Sequence, residues 1–587
     1  MATNDDIAAL FEEISQLLEI TGADKFRVNA HARAARVIGD EQRDLATLAL
    51  EPDGRARLIA IEGIGAKTAD KIIEFATTGA IHEHDELAAA VPPGLLQLLG
   101  VPGLGPKTVK ALWESLDVKS IADLKRVIAD GTILTLPRMG EKTVKNISEA
   151  LEFAEKSGSR TPLGLAMPIA EAIVERLAKV KGVERVQFAG SLRRGKDTIG
   201  DIDIIVASDD GEHARAAFTS LPGVTKVVTS GQTKSSVWLD THGRTLQADL
   251  RIVPPASFGA ALMYFTGSKE HNIRLRERAL KQKLTLNEYG LYPLDSDDTP
   301  PQQRGITPKA SKTEESIYKA LGLPWLPPEL REDQPLSDAS PPALIEIADI
   351  RAELHAHTTA SDGRMSIIEL AELAKSKGFH TLAVTDHSQS SVIANGLKPD
   401  RLREHIAAIR SAAKAVKGIT ILAGSEVDIL PDGRLDYDDE LLAELDLVVA
   451  SPHSSLKQDR ATATRRLLAA IEHPLVHIIG HPTGRLIGRR EGFDPDIPAL
   501  AHAAAKHDVA LEINANWMRL DLRDTHVASA VEAGALIAIN CDTHAAGDAD
   551  MLRYGVIIAR RGGLTPERCI NTWPASKLHG WLRRKRS

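Results

Sequence analysis

Apolar residues over positions 5–50 recur every three or four places, as in IAALFEEISQLLEI and FRVNAHARAARVI, which predicts amphipathic helices. Three stretches follow: IEGIGAKTADKIIEF (61–75), LGVPGLGPKTVKALW (99–113) and LPRMGEKTVKNISEAL (136–151). Each sets a short glycine-containing turn between apolar segments and follows it at once with a lysine and a helical pattern. After SGSRTPLG (157–164), a connector, the pattern changes. Helix-like MPIAEAIVERLAKV gives way to strand-like VERVQFAG, then to GSLRRGKDTIGDIDIIV (190–206) and, further on, RTLQADLRIVPP (244–255). From residue 350 strands and helices alternate over about 240 residues. That repetition predicts a closed or nearly closed parallel barrel, with polar residues at the strand ends converging on one face. Between these regions DSDDTPPQQRGITPKASK (295–312) and LPWLPPELREDQPLSDASPPA (323–343) read as irregular linker, which places the main boundary near residue 340.

A chain of 587 residues is too long for one core and should split into several domains. Its two cysteines, Cys541 and Cys569, cannot build a disulfide framework, which suits a reducing compartment. No apolar run approaches the roughly 20 residues that span a bilayer, and the N-terminus has no signal-peptide core, so a soluble cytoplasmic protein is expected. A net charge of −8 gives no global sign of a polyanionic partner, leaving only local indications. Histidine is distributed unevenly: 14 of 20 lie after residue 344, which implies different chemistry in the two parts.

In the three glycine turns, positive φ leaves amide N–H groups free at the start of the next helix, where dipole and amides suit a phosphate. Gly63, Gly65 and Lys67 in the first copy, and Gly103, Gly105 and Lys107 in the second, are the candidate DNA-backbone contacts. The third copy has one glycine, Gly140. A glycine cap joining two helices would account for any one copy; repetition at a spacing of about 36–40 residues favours phosphate binding. The pattern resembles the helix-hairpin-helix motif, which grips the DNA backbone without reading sequence.

Asp201 and Asp203 lie on one face of a strand, where their charges repel. Asp249 lies on another strand beside apolar neighbours. Three carboxylates converging on one face are relieved by divalent cations bound between them, and hard oxygen ligands favour Mg²⁺ or Mn²⁺. Such ions can activate an attacking oxygen and neutralise charge on a transferred phosphoryl group. Upstream, Gly190 and Ser191 end a strand, Arg193 and Arg194 supply charge, and Gly200 permits close backbone approach.

This spacing resembles the nucleotidyltransferase palm and, more narrowly, the family X DNA polymerases. The resemblance implies that Asp201 and Asp203 bind two metals and Asp249 the catalytic one, while Gly190, Ser191, Arg194 and Gly200 contact the incoming triphosphate. It extends to YFTGSKEHNIRLRERALKQKLTLNEYGLY (264–292) as a nucleotide-selecting thumb. There Tyr264, Phe265 and Gly267 would line the sugar, and Asn272 and Arg276 would face the nascent base pair. Residues 269–283 also form a basic surface on a helical stretch, which an ordinary solvated helix resembles. Two residues before Asp249 the best-known members carry an arginine that pairs with the carboxylates during closure; here Gln247 stands in that place. Lys71 occupies a position where some members use a lysine to remove 5′-deoxyribose phosphate, the other reading being backbone binding. The upstream position that is often tyrosine in those members is His31.

In the C-terminal part His355, His357, Asp362, His387, Glu426, His453, His481, Asp542 and His544 fall at successive strand ends. A single such histidine is usually structural, but nine imidazole and carboxylate groups would each need a buried partner. Their order resembles the polymerase and histidinol phosphatase (PHP) domain, a distorted seven-stranded barrel with a three-metal phosphoesterase centre. Mixed N/O ligands suit Mn²⁺, Zn²⁺ or Fe, and the resemblance favours Mn²⁺. Cys541 reads as core, and WLRRKRS (581–587) as a solvated basic end or a DNA contact.

The expected fold is therefore multidomain. A helix-hairpin-helix domain (1–80, lyase-like) and a second such domain (81–158) precede an α/β palm (159–256) and a small α+β thumb (257–325). A linker (326–345) leads to a distorted (β/α)7 PHP barrel (346–587). The resemblance implies a monomeric repair polymerase acting on gapped or primer-template DNA with dNTPs, and a metal-dependent 3′–5′ exonuclease or 3′-end phosphoesterase; no membrane partner is expected. Two alternatives remain: a 3′-end exonuclease or phosphatase whose polymerase half only binds DNA, and a non-catalytic DNA-end scaffold.

Overall fold

The computed structural model describes every residue except 1–3, 42–44, 62, 93, 100, 102–103, 138, 142, 146, 149–150, 152–159, 242–243, 298 and 585–587. The chain divides into two compact units, residues 1–158 and 159–587.

The first unit is helical among its described residues. Helices Asn4–Thr21 and Lys25–Asp40 pair through Ile7, Phe11, Ile14, Ala34 and Ile38, the second capped by Asp24, whose carboxylate accepts from the amides of Phe26 and Arg27. Helix Ala66–Thr78 joins this core through Ala69, Ile72 and Phe75. A second apolar core gathers Leu95, Leu98, Val109, Leu112 and Leu124.

The second unit opens with a five-stranded sheet. Strand Asp201–Ala207 lies at its heart, antiparallel to Arg185–Phe188 and parallel to Arg244–Val253; Lys234–Thr241 and Val224–Ser230 complete it. Ile202, Ile204 and Val206 are fully buried on one face. The period of two therefore turns Asp201 and Asp203 to the other face.

Helices Phe258–Thr266, Lys269–Lys281 and Glu314–Ala320 pack with the hairpin Leu284–Asn287/Gly290–Pro293 around Leu275, Leu286, Ile317 and Tyr318. Much of what reads as linker belongs to this subdomain. The Leu291 amide donates to the Ala310 carbonyl, fixing the end of the 295–312 stretch. Arg331, within the 323–343 stretch, is fully buried and donates twice to Glu314. Proline-rich composition signals the absence of regular structure, and an irregular segment can still be packed.

Seven parallel strands then follow in sequence order: Ala352–Glu353, Thr381–Val384, Thr420–Asp428, Leu447–Ser451, Ile478–Ile479, Ala510–Asn514 and Leu536–Asn540. A parallel bridge between Ala356 and Thr543 brings first and last together. Leu354, Ala383, Val449, Ile478, Ala510 and Ala538 fill the interior, and Trp581 and Leu582 of helix Ala575–Arg584 join the same cluster. The start of the basic tail is thus a packed helix rather than a solvated end; residues 585–587 lie outside the described residues. Among the described residues, no helix is long and apolar enough to cross a membrane.

Candidate active sites

In the first unit, helices Ala66–Thr78 and Pro106–Leu116 start at Gly65 and Gly105, and neither has a side-chain cap. The first amides of a helix have no intrahelical partner, although in the second helix Pro106 has no N–H and the Thr108 amide already donates to the Gly105 carbonyl; Lys67 and Lys107 are exposed alongside. Gly63 takes φ +94, and a Cβ there would meet Val37 Cγ2 at 2.7 Å, so the turn needs glycine. Gly103 and much of the third hairpin lie outside the described residues.

Lys71 and His31 come together through Glu83, to which no motif pointed. Lys71 Nζ lies 2.8 Å and His31 Nε2 3.3 Å from Glu83 Oε2, and Arg27 also pairs with this carboxylate. Burial works against the Glu83 charge, but the bonds from Lys71 and Arg27 outweigh it and pull the carboxyl down to about 2.

In the sheet, the register sets Asp203 opposite Asp249 and Asp201 opposite Gln247. Burial, then the charges of Asp201 and Asp249, push the Asp203 carboxyl up to about 7. Three crowded carboxylates of this kind fit divalent cations. Gln247 Nε2 donates to Asp249 Oδ1 at 2.9 Å, and Lys234 Nζ lies 2.8 Å from Asp249 Oδ2. A neutral amide thus stands where the resemblance implies an arginine, and a lysine from the neighbouring strand brings the positive charge.

Strand Arg185–Phe188 ends before Gly190, so Gly190 and Ser191 open a short helical turn instead of closing the strand. Gly190 has φ +62, and a Cβ on it would lie 2.3 Å from Asp203 Oδ2. Arg193 is committed elsewhere, donating through both terminal nitrogens to Glu314 at 2.7 and 2.9 Å. Arg194 donates from Nε to Glu332 Oε1 and from a terminal nitrogen to the Thr266 carbonyl. A Cβ on Gly200 would sit 3.3 Å from an Arg160 nitrogen. Beyond Thr266, Gly267 is buried with φ +71, and the Tyr264 and Phe265 rings meet edge to face at 5.2 Å. Asn272 Nδ2 donates to the Tyr264 carbonyl at 2.6 Å, and Arg276 is exposed on the next helix.

At the barrel end all nine expected groups converge. Their ligand atoms form three overlapping sets, each within 4.8 Å: His357, Asp362, His387 and His544; His355, His357 and Asp542; His387, Glu426 and His453. His481 joins through Nε2, 2.9 Å from Glu426 Oε1. His355 Nε2, both His357 nitrogens, His387 Nδ1, both Glu426 oxygens, both His481 nitrogens and Asp542 Oδ1 are buried without hydrogen bonds of acceptable geometry. Buried polar atoms aimed at one another in this way fit metal ions, and the mixed N/O set suits first-row divalent ions. Two of the nine residues lie on left-handed backbone, His481 at φ +25 and Asp542 at φ +53, a strain typical of functional loops.

Family models match the chain along its length: a helix-hairpin-helix domain over residues 2–81, a SAM-like helix-hairpin-helix tandem over 95–152, a DNA polymerase beta palm over 160–242, a DNA polymerase beta thumb over 261–332 and a PHP domain over 353–516. The chain is 38% identical over 583 residues to the DNA polymerase/3′-5′ exonuclease PolX of Bacillus subtilis, covering 99% of each protein. It belongs to the family X DNA polymerases that carry a C-terminal PHP domain. The chain is also 32% identical over 237 residues to the probable phosphatases YcdX of Escherichia coli O139:H28 and Shigella dysenteriae serotype 1, covering 39% of this chain and 92% of each of them.

Around this cluster of the family X chain stands a layer of supporting residues, and apart from Asp386 of the TDH motif no motif pointed to those that hold the nine. Glu512, fully buried, accepts from His355 Nδ1 at 2.8 Å, from the His481 amide at 2.8 Å and from Asn540 Nδ2 at 2.9 Å. Asp428 holds His453 Nδ1 at 3.0 Å, and Asn514 Nδ2 donates to Asp542 Oδ2 at 2.9 Å. Asp386, between Thr385 and His387, faces away from the cage toward His405 Nε2 at 2.7 Å and the Thr358 and Ser361 amides, pinning the loop that carries His357 and Asp362. Cys541 is buried core, its backbone amide donating to Glu353.

Proposed function

We propose that this chain fills short gaps in DNA during repair, with the palm as nucleotidyltransferase site and the barrel as a second site trimming the same 3′ end. The observation that carries the reading is that the three palm aspartates, on paired strands, and the nine clustered barrel residues all lie within the unit 159–587. Asp201, Asp203 and Asp249 would hold magnesium or manganese. The nine barrel residues would hold up to three ions, manganese by preference, with zinc or iron as the alternatives. The bound ions supply charge neutralisation and ease deprotonation of the attacking oxygen.

In polymerisation the primer 3′ oxygen forms a bond to the α-phosphorus while the bond from that phosphorus to the bridging oxygen breaks, releasing pyrophosphate. Arg194, Ser191 and the amides at Gly190 and Gly200 grip the triphosphate. Tyr264, Phe265, Gly267, Asn272 and Arg276 shape the sugar and base-pair pocket. The hairpin residues Gly63, Gly65, Lys67, Gly103, Gly105 and Lys107 hold the flanking backbone, so a monomer suffices, working on gapped DNA and dNTPs in the cytoplasm. At the barrel, water adds across the 3′-terminal phosphodiester and frees one nucleotide. Glu83 bears on the lyase question: an ion pair with its carboxylate keeps the Lys71 nitrogen engaged, which disfavours Schiff-base chemistry. The functional divisions we propose keep the boundaries drawn from the sequence, except that the packed start of the 326–345 segment, Arg331 included, goes with the thumb.

The test is primer extension and 3′ degradation on gapped DNA with Asp201→Ala/Asp203→Ala and His355→Ala/His357→Ala. The first pair should abolish extension and spare degradation, the second the reverse. Extension surviving the aspartate pair would sink the polymerase assignment and leave only end processing, and a wild type showing neither activity would leave a scaffold.

A further inference from the structure

The turn that carries the triphosphate-gripping residues, Gly190 to Asp197, is pressed against the PHP barrel at three points. Arg561, on helix Leu552–Arg561, donates to the main-chain carbonyl of Arg194 at 2.5 Å. Gly195 takes φ +66, and a Cβ on it would lie 2.1 Å from Ile557 Cγ2 of the same helix, so barrel and turn meet where only glycine fits. Arg485, from the loop after the fifth barrel strand, donates to Asp197 Oδ2 at 2.9 Å.

Glu332 stands at the centre of this contact, in the segment joining thumb to barrel. Its Oε1 takes Arg194 Nε at 3.1 Å, Lys196 Nζ at 3.2 Å and an Arg561 nitrogen at 3.0 Å. Arg561 is almost fully buried and is held in turn by Asp524 Oδ2, at 2.6 Å from one terminal nitrogen and 2.9 Å from Nε. With its Nε on Glu332 and one terminal nitrogen on the Thr266 carbonyl, Arg194 has a fixed guanidinium plane and a remaining nitrogen to offer a phosphate.

We infer that Glu332 and Arg561 are positioning residues for the polymerase reaction, so the PHP domain forms the back wall of the nucleotide subsite. The inference rests on the reading of Arg194 as a triphosphate ligand. Holding a donor in place before the ligand arrives removes ordering cost from nucleotide binding, so its loss falls on KM for dNTP rather than on kcat. Arg561→Lys keeps the charge but cannot reach Asp524, Glu332 and the Arg194 carbonyl together.

The experiment is single-nucleotide insertion on gapped DNA by the full chain, comparing wild type, Glu332→Gln, Arg561→Lys, the double variant and Arg194→Gln. Each single positioning variant should raise KM for dNTP about tenfold with kcat within about threefold, while 3′ degradation by the barrel is retained. The double variant should be no worse than the more damaged single one, since both act through one network. Should Arg561→Lys lose folded protein, Glu332→Gln, on the more exposed partner, decides alone. An unchanged KM in Glu332→Gln overturns the inference, and a lowered KM also does, because Glu332 would then compete with the triphosphate. If Arg194→Gln leaves KM unchanged, the reading of Arg194 fails first; if it raises KM while the other variants do not, only the inference fails.

Discussion

Gly190→Ala is the sharpest perturbation of the polymerase site. A Cβ at this position would lie 2.3 Å from Asp203 Oδ2 and 3.3 Å from its Cγ. Relief to ordinary contact requires the carboxylate, or the turn, to move by about 1 Å, a displacement of reacting geometry that costs on the order of 100-fold. The residue also holds φ +62, a left-handed conformation that costs a side-chain-bearing residue about 1–2 kcal/mol. The variant should therefore fold, with a modest loss of stability, and lose about 100-fold in kcat/KM for nucleotide insertion on gapped DNA. Degradation of the 3′ end by the barrel is the internal control and should stay within about threefold of wild type. Insertion within threefold of wild type in a folded variant would refute the reasoning, because the aspartate would then tolerate the shift that the geometry forbids.

Three further outcomes are expected. Glu512→Ala strands His355 Nδ1, the His481 amide and Asn540, so metal affinity at the barrel should fall about 10–100-fold in a dialysis titration read by elemental analysis; unaltered affinity would show that the ligands need no such support. His271 is buried and hydrogen-bonded to Tyr318, and burial followed by the charges of Arg331, Arg194 and Arg274 pulls its pKa down to about 3. Between the ordinary value near 6.5 and pH ~3 the unfolded chain therefore holds a proton that the folded thumb refuses, and stability, fully present above 6.5, should fall by about 1.4 kcal/mol per pH unit on acidification. Urea-unfolding free energies measured at successive pH values read this slope, which should be shallower by that amount in His271→Leu; an unchanged slope would count against it. Finally, Glu83→Gln frees Lys71 from its ion pair, so borohydride trapping on a 5′-deoxyribose phosphate end should rise above wild type; equal trapping would mean that the pair does not restrain Lys71.

The legible parts of this molecule are those whose signal is local. Asp201 and Asp203 alternate with Ile202 and Ile204, so strand periodicity alone puts both carboxylates on one face. Each barrel histidine follows an apolar strand, and that local pattern is enough to mark it as a strand-end group. What escaped the sequence depends on register between distant segments. Lys234 lies in KSSVWLDT with no motif around it, and only the pairing of Ser236 with Asp249 shows that it reaches the carboxylates. Glu512 sits within the apolar run VALEIN and points inward to His355, a role a hydrophobic pattern does not reveal. Glu332 and Arg331 lie in a stretch whose prolines and aspartates read as linker, yet one is a bridge between the thumb-to-barrel segment, the palm and the barrel, and the other is buried core.

The central claim is that one chain carries two complete and separate metal centres. Anomalous scattering from a manganese-soaked crystal tests it most directly. The account predicts peaks among Asp201, Asp203 and Asp249, and up to three more inside the cage formed by His355, His357, Asp362, His387, Glu426, His453, His481, Asp542 and His544. A crystal with full peaks in one cluster and none in the other, at saturating manganese, would contradict it.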